Sequence, residues 1–302
     1  RTTKAKGRIQ RFRQLEEDKL VINDAKLELT TASSRLGRKI VEMDGLTKTY
    51  GGQTFIKDFS YILLRDDRVG IIGENGCGKS TLLKALCGIV PMTSGELYLD
   101  GENLRLLEPK KAAQRLTYLA QSRQVPDITV SRLVLHGRFP YLNYPRRYRK
   151  EDYAIADAAM EQMGLTELAD RPMEQLSGGQ RQKVYIAMAL AQDTPVILLD
   201  EPTTYLDIKH QLQIIHYARK LATEGKTVLM VVHDLDQAMK VADKIVLMKE
   251  GTVVAQGTPD EVFASGTPEE VFGINMKRVQ TENGWHYYFE ERSVSVVPVD
   301  KR

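Results

Sequence analysis

The sequence has few cysteines and lacks any long apolar run. Its two cysteines, Cys77 and Cys87, do not resemble the disulfide framework of a small secreted protein. The lack of such a framework is typical of proteins in a reducing cytosol. The sequence has no stretch of 18 apolar residues, so it predicts no transmembrane helix, and it shows no signal peptide. The chain starts at Arg1 rather than Met, which leaves room for a longer gene product.

A large excess of charge of either sign is also lacking. The 302 residues include 43 Lys and Arg and 40 Asp and Glu, which gives a net charge of +3. This mild excess does not by itself indicate nucleic-acid binding. Basic residues do cluster at 1–15 and 146–150. Each cluster is typical of a solvated face; a nucleic-acid contact for the first, or a headgroup or partner contact for the second, is the alternative.

Residues 69–81, VGIIGENGCGKST, carry the clearest chemical signal. A strand-like apolar run precedes a Gly-rich loop and a helix-forming run, which is the context of the phosphate-binding P-loop, G-x-x-x-x-G-K-[ST]. Glycines let backbone N–H groups surround an anion, and the helix N-terminus adds partial positive charge. An ordinary Gly-rich turn is the alternative, which the flanking strand and helix argue against. The predicted nucleotide-binding residues are Gly73, Asn75, Gly76, Cys77, Gly78, Lys79, Ser80 and Thr81.

Two further apolar runs end in residues suited to phosphate chemistry. Residues 196–199 precede Asp200 and Glu201 and are typical of a buried parallel strand. An Asp at this place can hold the Mg²⁺ of a nucleotide, and the adjacent Glu can orient or deprotonate a water. Residues 227–232 precede His233, which we expect at the same sheet edge, in contact with the terminal phosphate. A structural histidine is the alternative.

The residues alone leave two other segments open. Tyr50, upstream of the P-loop strand, either stacks on a nucleobase or is an ordinary core or surface tyrosine. Ser177 precedes two glycines and a strong helix, and is either a plain N-cap or part of a turn that presents N–H groups to an anion.

Taken in order, these motifs resemble an ATP-binding cassette (ABC) ATPase over residues 39 to about 263. The resemblance implies an α/β fold: a P-loop NTPase with a mainly parallel core sheet, an antiparallel β subdomain and an inserted helical subdomain at about 125–176. The matching segments are the Walker A loop at 73–81, the Q-loop Gln121, the signature LSGGQ at 176–180, the Walker B pair Asp200 and Glu201, the D-loop at 205–207, the switch histidine His233 and the adenine-stacking Tyr50.

The same resemblance implies ATP and Mg²⁺ as ligands and a division into domains. A charged N-terminal segment spans 1–38, the ATPase domain 39–263, and a C-terminal extension with a β-hairpin at Asn283-Gly284 spans 264–302. The signature residues would complete the site of a second cassette, so a homodimer is predicted. The implied roles are metal binding by Ser80, Gln121 and Asp200, catalysis by Lys79, Gln121, Glu201 and His233, and closure of the partner's site by Ser177, Gly178, Gly179 and Gln180.

Different parts of the chain resemble two different subfamilies. Residues from about 88 to 292 resemble the ATPases of ferric-siderophore, haem and vitamin B12 importers, whereas residues 1–80 resemble the second cassette of ABC-F proteins, which act on ribosomes. The importer likeness is carried by LHGRFPY at 135–141, YPRRY at 144–148, TTYLD at 203–207 and WHYYF at 285–289. The ABC-F likeness is carried by residues 1–15 and 59–68.

We therefore expect an ATP-hydrolysing subunit that energises import of an iron–siderophore or related iron complex. It would lie peripherally on the cytoplasmic face of the plasma membrane, with separate permease subunits and a substrate-binding protein as partners, and without nucleic acid. The alternatives are an ABC-F-type ribosome-associated ATPase, a fusion of the two, or a scaffold with a decayed site. The intact Lys79, Asp200, Glu201 and His233 argue against decay.

Overall fold

A computed structural model describes residues 39–121, 124–204, 206–282 and 284–292. The charged N-terminal segment predicted at 1–38 lies outside the described residues, as do Tyr205 of the predicted D-loop and Asn283 of the predicted hairpin.

The core of the fold is a mainly parallel sheet with the strand order β10-β9-β3-β8-β7-β6. Neighbouring strands are parallel, except that β10 runs antiparallel to β9. Because both faces are covered, β7 and β8 are buried at every position, which explains their continuous apolar sequences. The strands are β3 (Arg68–Gly73), β6 (Leu116–Leu119), β7 (Val196–Asp200), β8 (Thr227–Val231), β9 (Lys244–Lys249) and β10 (Thr252–Gly257).

This sheet separates two hydrophobic cores. Successive side chains of a strand point to opposite faces, so Val196 and Leu198 of β7 enter one core and Ile197 and Leu199 enter the other. The first core also contains the apolar side chains of helix α1 (Lys79–Leu86), which begins at the end of the P-loop.

An antiparallel sheet with the order β2-β1-β4-β5 contributes to the same core as α1. The segment 44–48, DGLTK, lies inside β1, where the register with β2 shifts on both sides of the buried Leu46. Such bulges let a strand continue through residues that do not alternate regularly. The strands are β1 (Lys39–Tyr50), β2 (Gln53–Leu64), β4 (Ser94–Leu99) and β5 (Glu102–Asn103).

Helices fill the other side of the central sheet. The sequence pattern predicts helix from 130 to about 168, but the structure interrupts it at Gly137, where an added Cβ would lie 2.3 Å from the carbonyl oxygen of Met188. The basic segment 146–149 is not helical, and Arg149 is the N-cap of α4. The helices of this region are α3 (Val130–His136), α4 (Lys150–Gln162) and α5 (Gly178–Gln192), with 3₁₀ turns at Phe139–Tyr141, Thr166–Leu168 and Met173–Gln175. Before them in the chain come a 3₁₀ turn at Leu104–Leu106, whose Leu104 packs against the first core, and α2 (Pro109–Arg115).

A buried ion pair holds the interrupted segment against α5. The Arg138 guanidinium lies 3.1 Å from the carboxylate of Asp152 and donates to the main-chain oxygen of Ala191 at 3.0 Å. Burial raises the pKa of Asp152, but hydrogen bonds from the Arg149 amide and from Arg138 outweigh it and lower the pKa overall. The Tyr141 hydroxyl donates to the main-chain oxygen of Gln192 at 2.8 Å. The LHGRFPY segment thus supports the packing of the helices.

The remaining elements are a helix after β7, a helix after β8, and two short helices and a strand pair after β10. They are α6 (Ile208–Thr223), α7 (Leu235–Val241), α8 (Pro259–Ala264), α9 (Thr267–Phe272), β11 (Ile274–Thr281) and β12 (Gly284–Glu291). β11 and β12 pair antiparallel with Thr281 opposite Gly284, and Met276 and Tyr287 from this pair are buried with α7 in the helical core. The expected fold class is confirmed, and no helix in the described ranges is long and apolar enough to cross a membrane.

Candidate nucleotide-binding site

The parallel strands bring the predicted residues to one edge of the central sheet. β3 ends at Gly73 and β7 at Asp200, while Gln121 and His233 follow β6 and β8 closely. Since β3, β8, β7 and β6 are parallel neighbours, their carboxyl ends face the same side, where open α/β sheets bind ligands. His233 is exposed at this edge.

Two glycines of the P-loop are required by close packing. Gly73 has φ +153° and Gly78 has φ +104°. A Cβ would lie 2.1 Å from the Met248 oxygen at the first position and 2.0 Å from the Phe55 oxygen at the second. Both positions therefore exclude any side chain, and the backbone is held in a conformation that favours glycine.

The loop is also braced from outside. The Cys77 oxygen accepts from the amide of Gly251 at 3.1 Å, and the Gly251 oxygen accepts from the amide of Lys57 at 2.8 Å. Burial raises the pKa of the Cys77 thiol, which the nearby Lys79 ammonium only partly opposes. Cys77 is therefore a neutral packing residue of the loop.

The Lys79 ammonium lies inside the curve of the loop. It donates to the main-chain oxygens of Gly73 at 2.7 Å and Glu74 at 2.8 Å, and the residue is only 5% exposed. Both acceptors are neutral, so the positive charge is not cancelled by them. The exposed loop residues 74–76 thus lie beside a buried cation, an arrangement that attracts an anion.

Asp200 connects β7 to the start of α1. Its carboxylate accepts from the Ser80 hydroxyl at 2.9 Å and from the Tyr118 hydroxyl at 3.0 Å. The hydroxyl of Ser80, the carboxylate of Asp200 and the amide oxygen of Gln121 are hard oxygen donors of the kind Mg²⁺ prefers. This donor set suits the predicted metal.

Glu201 has different surroundings from its neighbour. It has φ +47°, and its carboxylate accepts from the Gln121 amide at 2.6 Å and from the Thr204 hydroxyl at 3.1 Å. Its own amide donates to the oxygen of Val231 at 3.1 Å. A left-handed conformation at a residue other than glycine is uncommon and is typical of functional sites.

The Tyr50 ring is exposed at the end of β1 rather than packed in a core. It is 44% exposed, with its centroid 5.6 Å from that of Phe55 and 4.3 Å from the Lys48 ammonium. Lys48 in turn donates to the Pro91 oxygen at 2.6 Å. These contacts hold the ring while leaving aromatic surface open, which suits stacking on a base.

The signature segment belongs to the other side of the sheet. Ser177 and Gln180 form a capping box at the start of α5, whose apolar residues lie in the helical core. Among the described residues, no hydrogen bond connects 177–180 with the P-loop. The structure thus brings the P-loop, Gln121, Asp200, Glu201 and His233 to one edge of the central sheet. Tyr50 ends β1 of the antiparallel sheet, and the signature begins α5.

Several contacting residues are missed by the sequence interpretation. Tyr118 binds Asp200, Thr204 binds Glu201, and Gln182 donates to the Pro202 oxygen at 2.9 Å. His210 lies against Gly179. The pairs of Tyr118, Gln182 and His210 join segments that only the folded chain brings together, whereas Thr204 is three residues from Glu201 and was given no site role in the sequence interpretation.

Together, a P-loop, an acidic pair and a histidine at one sheet edge define a P-loop nucleoside triphosphatase. A family model described as "ABC transporter" matches residues 56–204. The petrobactin import ATP-binding protein FpuD of Bacillus anthracis is 40% identical over 227 residues, 74% of this chain and 83% of FpuD. The ferric enterobactin transport ATP-binding protein FepC of Escherichia coli is 44% identical over 219 residues, 72% of this chain and 81% of FepC.

Solved structures agree with this assignment. The ADP conformation of MJ1267, an ATP-binding cassette of an ABC transporter, has a TM-score of 0.70 and 25% identity, and covers 78% of this chain and 97% of its own. A dimeric post-hydrolysis state of the cassette MJ0796 bound to ADP and Pi has a TM-score of 0.66 and 29% identity, with coverages of 73% and 99%. The chain belongs to the ABC transporter family, in which it is an ATP-hydrolysing cassette.

Proposed function

We propose that this cassette energises import of an iron–siderophore complex through a separate membrane permease. The observation that carries the proposal is the likeness to FpuD and FepC over more than two thirds of the chain, together with the cassette site geometry. The peripheral position on the cytoplasmic face of the plasma membrane and the substrate-binding protein are further parts of this proposal.

The ABC-F alternative receives no support from these relatives. Both are transport or import ATP-binding proteins. The segment 1–15, which carried part of that likeness, lies outside the described residues.

Nucleotide binding begins with charge and shape. Lys79 and the loop amides neutralise the β- and γ-phosphates, and Tyr50 stacks on the adenine. Ser80, Gln121 and Asp200 are the residues that would hold Mg²⁺, with Tyr118 keeping the Asp200 carboxylate in place. When bound, the ion would neutralise charge on the phosphates.

Hydrolysis then depends on positioning a water. Gln121 and Thr204 hold the Glu201 carboxylate, which orients the attacking water and accepts its proton. His233, at the end of the adjacent strand, contacts the γ-phosphate. This assignment gives the two neighbouring acids separate roles, metal binding for Asp200 and water activation for Glu201.

The signature completes the site of a second copy. The start of α5 lacks a hydrogen bond to its own P-loop among the described residues, whereas the helix N-terminus and its exposed Gly178 suit a phosphate brought by a partner. The dimeric MJ0796 cassette supports this arrangement. Closing two copies over two ATP molecules would move the permease subunits through the helical region at about 125–176.

The proposal is tested by purifying the tagged protein from membranes. We expect a polytopic permease to co-purify, and ATP hydrolysis of that complex to rise when a binding protein loaded with iron–siderophore is added. The Glu201→Gln variant is the matched control, since it should co-purify equally but show no stimulation. Co-sedimentation with ribosomes in place of a permease would contradict the proposal.

A further inference from the structure

The imidazole of His210 covers one of the two signature glycines. A Cβ built on Gly179 would lie 3.0 Å from Cδ2 and from Nε2 of His210 and 3.1 Å from Cε1. The same construction on Gly178 meets nothing within 4 Å. Gly179 therefore fits against a ring, while Gly178 faces open space.

The His210 ring is fixed from its other side. Its Nδ1 lies 2.7 Å from Oδ1 of Asp207, and the same oxygen accepts from the His210 amide at 2.9 Å. Asp207 is also the N-cap of α6. One ring nitrogen thus contacts the segment before α6, while the opposite edge of the ring contacts the segment that begins α5.

These two helix starts are joined near the acidic pair as well. Gln182, in the first turns of α5, donates to the Pro202 oxygen just after Glu201. His210 provides a second connection, farther along toward the signature. These two contacts fix the distance between the signature and residues 206–207, which precede α6 and are called the Asp207 segment below.

We propose that His210 is a positioning residue that sets the placement of the signature against the Asp207 segment, so that the start of α5 meets the partner's triphosphate in register. This inference rests on the proposed dimeric mechanism. His210 is not among the residues that bind the nucleotide of its own chain. Its loss should therefore affect closure of the dimer and turnover, and leave nucleotide binding by a single chain unchanged.

The test compares three variants on α6: His210→Ala, His210→Gln and His216→Ala. Gln keeps a planar amide that can donate to Asp207, so it should preserve most of the function. His216 is exposed on the same helix with its ring beside Tyr217, which makes His216→Ala a matched control.

We expect His210→Ala to lower kcat at saturating ATP about ten- to a hundredfold, as small misplacements of positioning groups do. Its nucleotide Kd as a monomer should stay within about twofold, since no P-loop contact changes. In the Glu201→Gln background, sedimentation should show weaker ATP-dependent dimerisation. His210→Gln and His216→Ala should resemble the parent in both measurements.

Normal dimerisation and turnover in His210→Ala would overturn the inference. So would an equal loss in His210→Gln, or a thermal unfolding midpoint that shows both His210 variants to be unfolded, because His210 would then serve stability alone. If the Glu201→Gln parent itself forms no dimer with ATP, the dimeric mechanism fails, and the inference falls with it. The parent measurement therefore separates the two failures.

Discussion

At the scale of single residues, Asp200 and Glu201 are adjacent acids with different surroundings, which is why we propose different roles for them. Asp200 is 2% exposed and accepts hydrogen bonds from Ser80 and Tyr118, whereas Glu201 has a positive φ and accepts from Gln121. The two carboxylates thus have separate hydrogen-bond partners, which is consistent with the proposed metal binding by Asp200 and water activation by Glu201.

Glu201→Gln is expected to retain ATP binding but to lose turnover by at least about a hundredfold, because an amide cannot accept the proton of the attacking water. Phosphate release reports turnover, and a fluorescent ATP analogue reports binding. Glu224→Gln, at the exposed end of α6, is the control. Hydrolysis at the normal rate in Glu201→Gln would refute the assignment of the base.

Lys79→Ala is expected to weaken ATP binding about ten- to a hundredfold, since hydrogen bonds to charged groups contribute about 1.5–3 kcal/mol. The measurement is equilibrium titration with ATP. Lys84→Ala, which removes an exposed lysine from the same helix, should bind normally. Unchanged affinity in Lys79→Ala would remove the P-loop assignment.

Tyr50→Ala is expected to weaken ATP binding by about 1–3 kcal/mol, the usual contribution of stacking on a base. Affinity for inorganic tripolyphosphate should not change, because that ligand has no base. Tyr50→Phe keeps the ring and should bind both ligands normally. Equal losses for ATP and tripolyphosphate would show that Tyr50 acts on the loop instead.

At the scale of helices and strands, local sequence patterns predicted the features that depend on consecutive residues, namely the buried strands and the P-loop. The apolar runs at 196–199 and 227–232 are strands because burial on both faces demands continuous hydrophobicity. The P-loop was predicted because its glycines, Lys79 and Ser80 all lie within residues 73–80. The bulges on either side of Leu46 in β1 depend on the partner strand β2, so local sequence does not predict them.

Contacts between distant segments are what the sequence did not reveal. Gly137, where the predicted helix is interrupted, packs against α5, which starts some forty residues later, and the Tyr118–Asp200 bond joins residues 82 apart in the chain. The roles of the site residues were expected from the family motifs and stay predictions until the variants are measured.

The Arg138–Asp152 pair is expected to be a strong determinant of helical packing. Arg138→Ala leaves the Asp152 carboxylate buried without its guanidinium and should lower the free energy of unfolding by about 3–5 kcal/mol. Urea denaturation measures the loss. Arg65→Ala breaks the exposed pair with Asp100 and should cost less than about 1 kcal/mol. Similar losses in both variants would contradict this role.

At the scale of the whole molecule, the central sheet separates the core that supports the P-loop helix from the core that supports the signature helix. The P-loop continues into α1 on one face, and the signature begins α5 on the other. The P-loop and the signature are therefore supported by different sets of core contacts, which is consistent with the proposed closure of the signature on the nucleotide of a second copy.

Ser177→Asp is expected to abolish ATP-dependent dimerisation and turnover. Asp is as good an N-cap as Ser, so α5 should persist, but its charge would repel the partner's triphosphate. Ser177→Asn keeps the cap without the charge and is the matched control. Analytical ultracentrifugation in the Glu201→Gln background measures the dimer. A normal dimer in Ser177→Asp would show that the signature faces elsewhere.

The bracing of the P-loop by Phe55, Met248 and Gly251 has a thermodynamic consequence. These contacts fix the curvature of the loop before a nucleotide binds. Binding should therefore order little additional backbone of the P-loop. Calorimetry should therefore find a small entropic penalty for nucleotide binding by a single chain, and the larger conformational cost should appear only when two chains associate.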